Sequence, residues 1–143
     1  MGLLEIASGN SFWRGYDYFK ESRVKSYRKM GPNLYKGSVE GSEGTVYSVA
    51  IDLDHPKKSQ CNCPHAEGNR RICKHKVALY FALFPEAADK AIEDAKAWEA
   101  EEERREEKER KEIEKYVYSL SKQELREQLL WRMLDERSRR NYW

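Results

Sequence analysis

The sequence predicts an α+β protein: a short N-terminal helix, a three-stranded antiparallel meander, a Cys/His knot running into a helix, and an extended helical C-terminal tail. Three observations carry this. Apolar and polar residues alternate over 23–53 between clusters of Gly, Pro, Asn and Ser, which is strand-and-turn chemistry. All three cysteines and two of the three histidines fall inside 61–76, CNCPHAEGNRRICKHK. Beyond Pro85 the sequence changes to helical periodicity interrupted by a charged run at 99–112. The expected organisation is a compact domain over 1–98, a charged helical linker over 99–112 and an amphipathic helical tail over 113–143.

Taken in order, Asn10-Ser11 offers a helix cap, and Phe12, Trp13, Tyr16 and Phe19 follow at helical spacing, predicting a helix over 11–22 with an aromatic stripe on a core. Tyr18 and Arg14 fall off that stripe and are expected to be free for other contacts. Strands are expected at 23–30, 34–40 and 45–53, joined by Gly31-Pro32-Asn33 and by the glycine-flanked turn 41–44. Lys25, Arg28, Lys29 and Lys36 then bring positive charge to the sheet surface or its rims. After the knot, Val77, Ala78, Leu79, Phe81, Ala82 and Phe84 are apolar nearly all round, so a helix over 74–84 is expected to be buried, with Pro85 ending or bending it.

Ala88, Ile92, Ala95 and Trp98 extend an apolar stripe. In 99–112 no large apolar residue occurs, and Glu101 to Arg105, Glu106 to Arg110 and Glu107 to Lys111 are opposite charges four apart. This is the pattern of a solvated helix about 20 Å long. Ile113, Val117 and Leu120 restart the stripe. Ser121 with Glu124 forms a capping box opening a final helix lined by Leu125, Leu129, Leu130, Met133 and Leu134. These segments are expected either to fold back on each other or to dock on a partner.

Composition narrows the function classes. With 39% hydrophobic and 36% charged residues among 143, the core is small, and a staple has correspondingly high value. No apolar run is long enough to span a membrane, and the first residues do not read as a secretion signal. An odd number of cysteines argues against a disulfide framework, so a reducing cytoplasm is the expected compartment. Residues 1–85 carry 13 Lys+Arg against 8 Asp+Glu, whereas 86–143 carry 14 against 17. The half with the knot is basic, a difference the net charge of +2 conceals.

Within the knot, Cys61 and Cys63 are two apart, as are Cys73 and His75. Extended residues i and i+2 point the same way, so two thiolates can meet one ion from a strand end. A second pair at the start of a helix completes a Cys3His set around zinc. Four protein ligands leave no position for substrate, so the expected ion is one structural Zn2+ held by Cys61, Cys63, Cys73 and His75. His65 is the internal rival to His75 as ligand, redox switching and iron–sulfur ligation are competing uses of the thiols, and His55 reads as a surface residue. His65-Ala66-Glu67 invites comparison with zinc deaminases, but Cys73 lacks the second cysteine three residues on that those sites need.

Cys61-Asn62-Cys63 and Cys73-Lys74-His75 together resemble the CxC…CxH signature of the SWIM zinc finger. Pro64, Lys74 and Val77-Ala78-Leu79 are similar to bacterial members. So is the upstream stretch with Arg14-Gly15, Tyr18, Val24, Gly37, Val39, Gly41, Tyr47, Val49 and Ile51. The resemblance covers about 12–84, with a weaker one at 121–130. It implies a zinc-stabilised module of a kind that accompanies helicase-like ATPases, transposases and ubiquitin ligases and binds DNA or proteins. It does not imply catalysis, and no GxxxxGK[ST] stretch or acidic metal-binding set is present, so an enzyme is not expected and motor activity would come from a partner.

Two functions follow as expectations. The first is nucleic-acid binding, mainly through phosphate contacts by Lys57, Lys58, Arg70, Arg71, Lys74 and Lys76, with Tyr27, Tyr35 and Tyr47 as stacking surfaces. Such a module would serve as accessory to a DNA-processing ATPase. The alternative is a protein adaptor, with the apolar stripe over 113–134 docking a partner or a second copy.

Overall fold

The computed structural model describes residues 2–142 and divides the chain into two compact units, Met1–Glu93 and Asp94–Trp143. The first unit opens with a one-turn helix, α1 (Leu3–Ile6), which no sequence pattern announces. Helix α2 spans Gly9–Lys20. Its cap is Ser8, whose Oγ accepts from Ser11 N at 3.1 Å, so the helix starts two residues before the expected position. The four strands β1 (Val24–Gly31), β2 (Leu34–Glu40), β3 (Val46–Asp52) and β4 (Gln60–Cys61) form one antiparallel sheet in that order. The expected meander lacked β4, which at two residues is too short to show alternation. Between β3 and β4 runs a single 3-10 turn, Pro56–Lys58.

Register assigns the two faces of the sheet. Val39, Val49 and Ile51 point inward and are buried under α3 (Lys74–Leu83). A Cβ on Gly37 would lie 2.8 Å from Leu79, so α3 lies close on the sheet here and only glycine fits. The outward residues form rows across the strands. Ser26 pairs with Ser38 and Ser38 with Ser48, while Arg28 pairs with Lys36, Lys36 with Ala50 and Ala50 with Gln60. Ser26 and Ser38 touch through their hydroxyls at 2.7 Å. Around β4, side chains satisfy the backbone of β3: Ser59 Oγ accepts from Asp52 N at 3.0 Å, and Asn62 Oδ1 from Ser48 N at 2.9 Å. The β1–β2 turn uses Pro32 and Asn33, the latter at φ +58°.

Helix α2 packs on α3. Its buried line is Ser11, Gly15 and Tyr18, and Gly15 touches Val77 so closely that a Cβ would stand 2.5 Å from that side chain. The aromatic stripe lies beside this line. Phe12, Tyr16 and Phe19 place their rings 5.8, 6.1 and 6.0 Å from that of Phe81, half-buried rather than central. Tyr18, expected to be free, is 7% exposed and belongs to the core. Helix α3 ends before Pro85, where α4 (Pro85–Ser119) begins, and Ala88 and Ile92 of α4 are buried.

The second unit holds the remainder of α4 and α5 (Lys122–Asn141). No residue of 94–142 is buried. Ser121 caps α5 as expected, its Oγ accepting from Glu124 N at 3.2 Å. Of the three expected ion pairs on α4, Glu107 with Lys111 forms at 3.9 Å; the arginines instead reach back three residues, Arg104 to Glu101, Arg105 to Glu102 and Arg110 to Glu107. Ile113, Leu129, Leu130, Trp131 and Met133 are all exposed, so the two helices do not cover each other's apolar faces. Among the described residues no helix is long and apolar enough to cross a membrane.

Candidate metal centre

Strand β4 ends on Cys61, held in register opposite Val49, and the next residue but one is Cys63. On the other side Cys73 is the extended residue that precedes α3, and His75 lies in that helix's first turn. These four side chains are buried, and their ligand atoms all lie within 4.8 Å of one another. Cys61 Sγ is 3.8 Å from His75 Nδ1. The three thiols are free. His65 is exposed and stands outside this cluster, as does His55, which resolves the choice between His65 and His75.

The donor set fits zinc. Bonds of about 2.0–2.3 Å around a tetrahedral ion draw sulfur and nitrogen ligands this close, and a closed Cys3His shell is a structural arrangement. The protein atoms alone leave the imidazole poorly served: His75 Nε2 is buried with no hydrogen-bond partner, and Nδ1 faces only sulfur. A metal ligated through one of these nitrogens would give it the partner that the protein atoms do not. The thiols are electrostatically coupled. Hydrogen bonding from Cys61 holds Cys73 far below the usual thiol range, at about 3, with His75 adding to the effect against burial. The same bond, with burial, pushes Cys61 far up. Metal ligation takes up cysteine as thiolate, so an ion bound here would release the thiol protons and engage both sulfurs.

The loop between the ligand pairs is stapled by its own polar groups. Asn69 Nδ2 donates to the His65 carbonyl at 3.0 Å, and Asn69 Oδ1 accepts from Arg71 N at 2.8 Å. Lys76 Nζ donates to the Arg71 carbonyl at 2.7 Å. Lys76 is 0% exposed. Burial lowers its pKa, opposed by the charge of Cys73, Cys61 and Cys63. Zinc bound to three thiolates and a neutral imidazole would carry one net negative charge, for which Lys76 is placed as counter-charge, and its bond to the Arg71 carbonyl braces the loop.

A second layer comes from elsewhere in the chain. The Tyr18 ring meets the His75 ring edge-on at 5.6 Å, and Tyr47 lies 4.7 Å from it. Arg23 and Lys74 place their cations 4.7 and 4.9 Å from the centre of the Tyr18 ring. The sequence contained a signal for this. Ser11, Gly15 and Tyr18 stand at i, i+4 and i+7, but the larger aromatic stripe beside them masks it.

Compared with protein families, residues 47–84 match the SWIM zinc finger. The chain contains a SWIM zinc finger. The four buried side chains fall within it, and their set is consistent with one structural zinc site. Bound there, zinc cross-links a strand end to a helix start. The SWIM match begins at Tyr47 and ends at Phe84, so Tyr18 and α2 lie outside it while touching its metal ligand. No curated protein and no solved structure matches the chain.

The basic residues expected beside the finger do not stay together. Lys57, Lys58 and Arg70 line one groove of about 850 Å³, with Lys36 and Gln60 on its sheet side and Glu67 also at its wall. Arg71 is exposed on the same loop but does not line the groove. Lys74 is half-buried over Tyr18. Lys76 is a correction: its ammonium is fully buried and held by a carbonyl, so it offers nothing to phosphate. Of the three tyrosines expected to stack on bases, Tyr35 packs on Phe84 and Tyr47 on His75, leaving only Tyr27 exposed, at 54%.

Proposed function

We propose that this SWIM finger binds nucleic acid, mainly through phosphate, as an accessory to a DNA-processing ATPase supplied by a partner chain. The observation that carries the reading is the groove beside the finger. Lys57, Lys58 and Arg70 converge on it, and among the described residues none of them is in an ion pair. Elsewhere the exposed arginines of α4 find carboxylates within a turn. Cations left unpaired in a concavity are suited to an anionic polymer. The zinc is read as a frame and not a reaction centre, because its four protein ligands leave no open position. A reducing compartment such as the cytoplasm suits the free thiols.

The test is a salt titration of binding to single- and double-stranded DNA. Affinity is expected to fall steeply with salt, and the dependence to become shallower in Lys58→Ala/Arg70→Ala. Absence of binding to either form at low salt contradicts the reading.

A second reading rests on a separate observation, the exposed Leu129, Leu130, Trp131, Met133 and Leu134 of α5. In it the tail docks a protein, a second copy of this chain being the first candidate. Deleting 113–143 is then expected to halve the mass in light scattering. An unchanged mass together with an unchanged set of captured partners contradicts it.

A further inference from the structure

On the outward face of the sheet Ser26, Arg28, Lys36, Ser48 and Gln60 are exposed, and its register puts like charges together. Arg28 and Lys36 are cross-strand partners, directly opposite each other on that face. Like charges so placed destabilise an antiparallel pair, and among the described residues neither has a carboxylate within ion-pair distance. The row they begin continues through Ala50 to Gln60 on β4. There it enters the groove of Lys57, Lys58 and Arg70, of which Lys36 is itself a wall. The parallel row is Ser26, Ser38 and Ser48, ending beside Asn62.

We propose that the outward sheet face is a binding track for single-stranded nucleic acid, running across the strands from Arg28 through Lys36 into the groove of Lys57, Lys58 and Arg70. This rests on the nucleic-acid reading above and specifies its ligand. Four strands set about 4.8 Å apart give the track a length of about 14 Å before it reaches the loop. Beside Arg28, Lys36 and Gln60 the side chains along it are short hydroxyls and an alanine, so a sugar-phosphate chain can lie against the sheet. Duplex DNA is read by a helix or ribbon that protrudes into its major groove. Here Lys36, Lys57, Lys58 and Arg70 line a concavity, which an extended single strand can enter and a duplex rod can touch only at the rims. By register Tyr27, Tyr35 and Tyr47 alternate onto the opposite face, so contacts along the two rows fall on phosphate and sugar and the track is indifferent to base sequence.

The test measures fluorescence anisotropy of a labelled oligothymidylate and of a mixed-sequence duplex of equal length, using the full chain loaded with zinc. Wild type is expected to prefer the single strand. Arg28→Glu/Lys36→Glu is expected to weaken that binding at least tenfold and to flatten its salt dependence by about 1.4 in slope, the share of two phosphate contacts on a single strand. Lys90→Glu/Lys96→Glu makes the same change in net charge at exposed sites on α4 and is expected to bind as wild type does. Zinc content and circular dichroism establish that each variant is folded. If the Arg28/Lys36 variant binds like wild type while Lys58→Ala/Arg70→Ala is weakened, the track is wrong and the wider reading stands. Tighter binding of the duplex also overturns the track. No binding by the wild type removes both.

Discussion

At the scale of single residues, the centre is decided by groups that are not ligands. Tyr18 buries its ring against His75 while its hydroxyl is buried without a hydrogen-bond partner. Tyr18→Ala is therefore expected to destabilise the first unit by about 3–5 kcal/mol in chemical denaturation and to speed zinc loss to a chelator. Tyr18→Phe, which keeps the ring and removes the unpaired group, should match or exceed wild type in both. Equal losses in the two variants would show that the hydroxyl, not the ring, is what matters. Lys76 gives a second case. Lys76→Met keeps volume but removes the counter-charge and the strut to Arg71, so zinc retention against a chelator is expected to fall although no ligand has changed. Retention equal to wild type would mean the ammonium plays no part in holding the site. The ligands themselves were legible from CxC and CxH spacing. Tyr18 and Lys76 were not, because a lysine next to a zinc ligand reads as surface charge until the fold buries it. Choosing His75 over His65 likewise needed the helix start that brings His75 inward.

At the scale of elements, α2 and α3 meet through glycine. A Cβ on Gly15 would stand 2.5 Å from Val77 and 2.9 Å from the Lys74 carbonyl. Gly15→Ala is expected to cost about 1–3 kcal/mol by forcing the helices apart. Gly9→Ala, in the same helix with open space around it, is expected to be neutral or stabilising. If urea midpoints move equally for both, the close approach is not what limits the site. The three long strands and both major turns could be read from alternation and from Pro32-Asn33 and the glycines. Strand β4 could not, since pairing of two residues depends on the partner strand and on side chains such as Ser59 and Asn62 that complete its edge. The aromatic stripe of α2 was read correctly as packing but misjudged in rank. Volume drew attention to Phe12 and Phe19, whereas close approach favours the small residues next to them.

At the scale of the molecule, the first unit has all the buried side chains and the second has none among residues 94–142. The charged run was legible as a solvated helix because no packing competes with its local preferences. The stripe over 113–134 was equally visible, but periodicity alone does not say what covers a stripe, and here nothing in the second unit does. A core as small as that of the first unit gains most from a cross-link, so its fixed shape is expected to depend on one zinc ion. The most direct measurement follows amide exchange across the chain before and after the metal is removed by a chelator under reducing conditions. Protection is expected to collapse throughout 34–84, including β3 and α3, while helicity over 99–141 is unchanged. Undiminished protection of β3 and α3 in metal-free protein would contradict it.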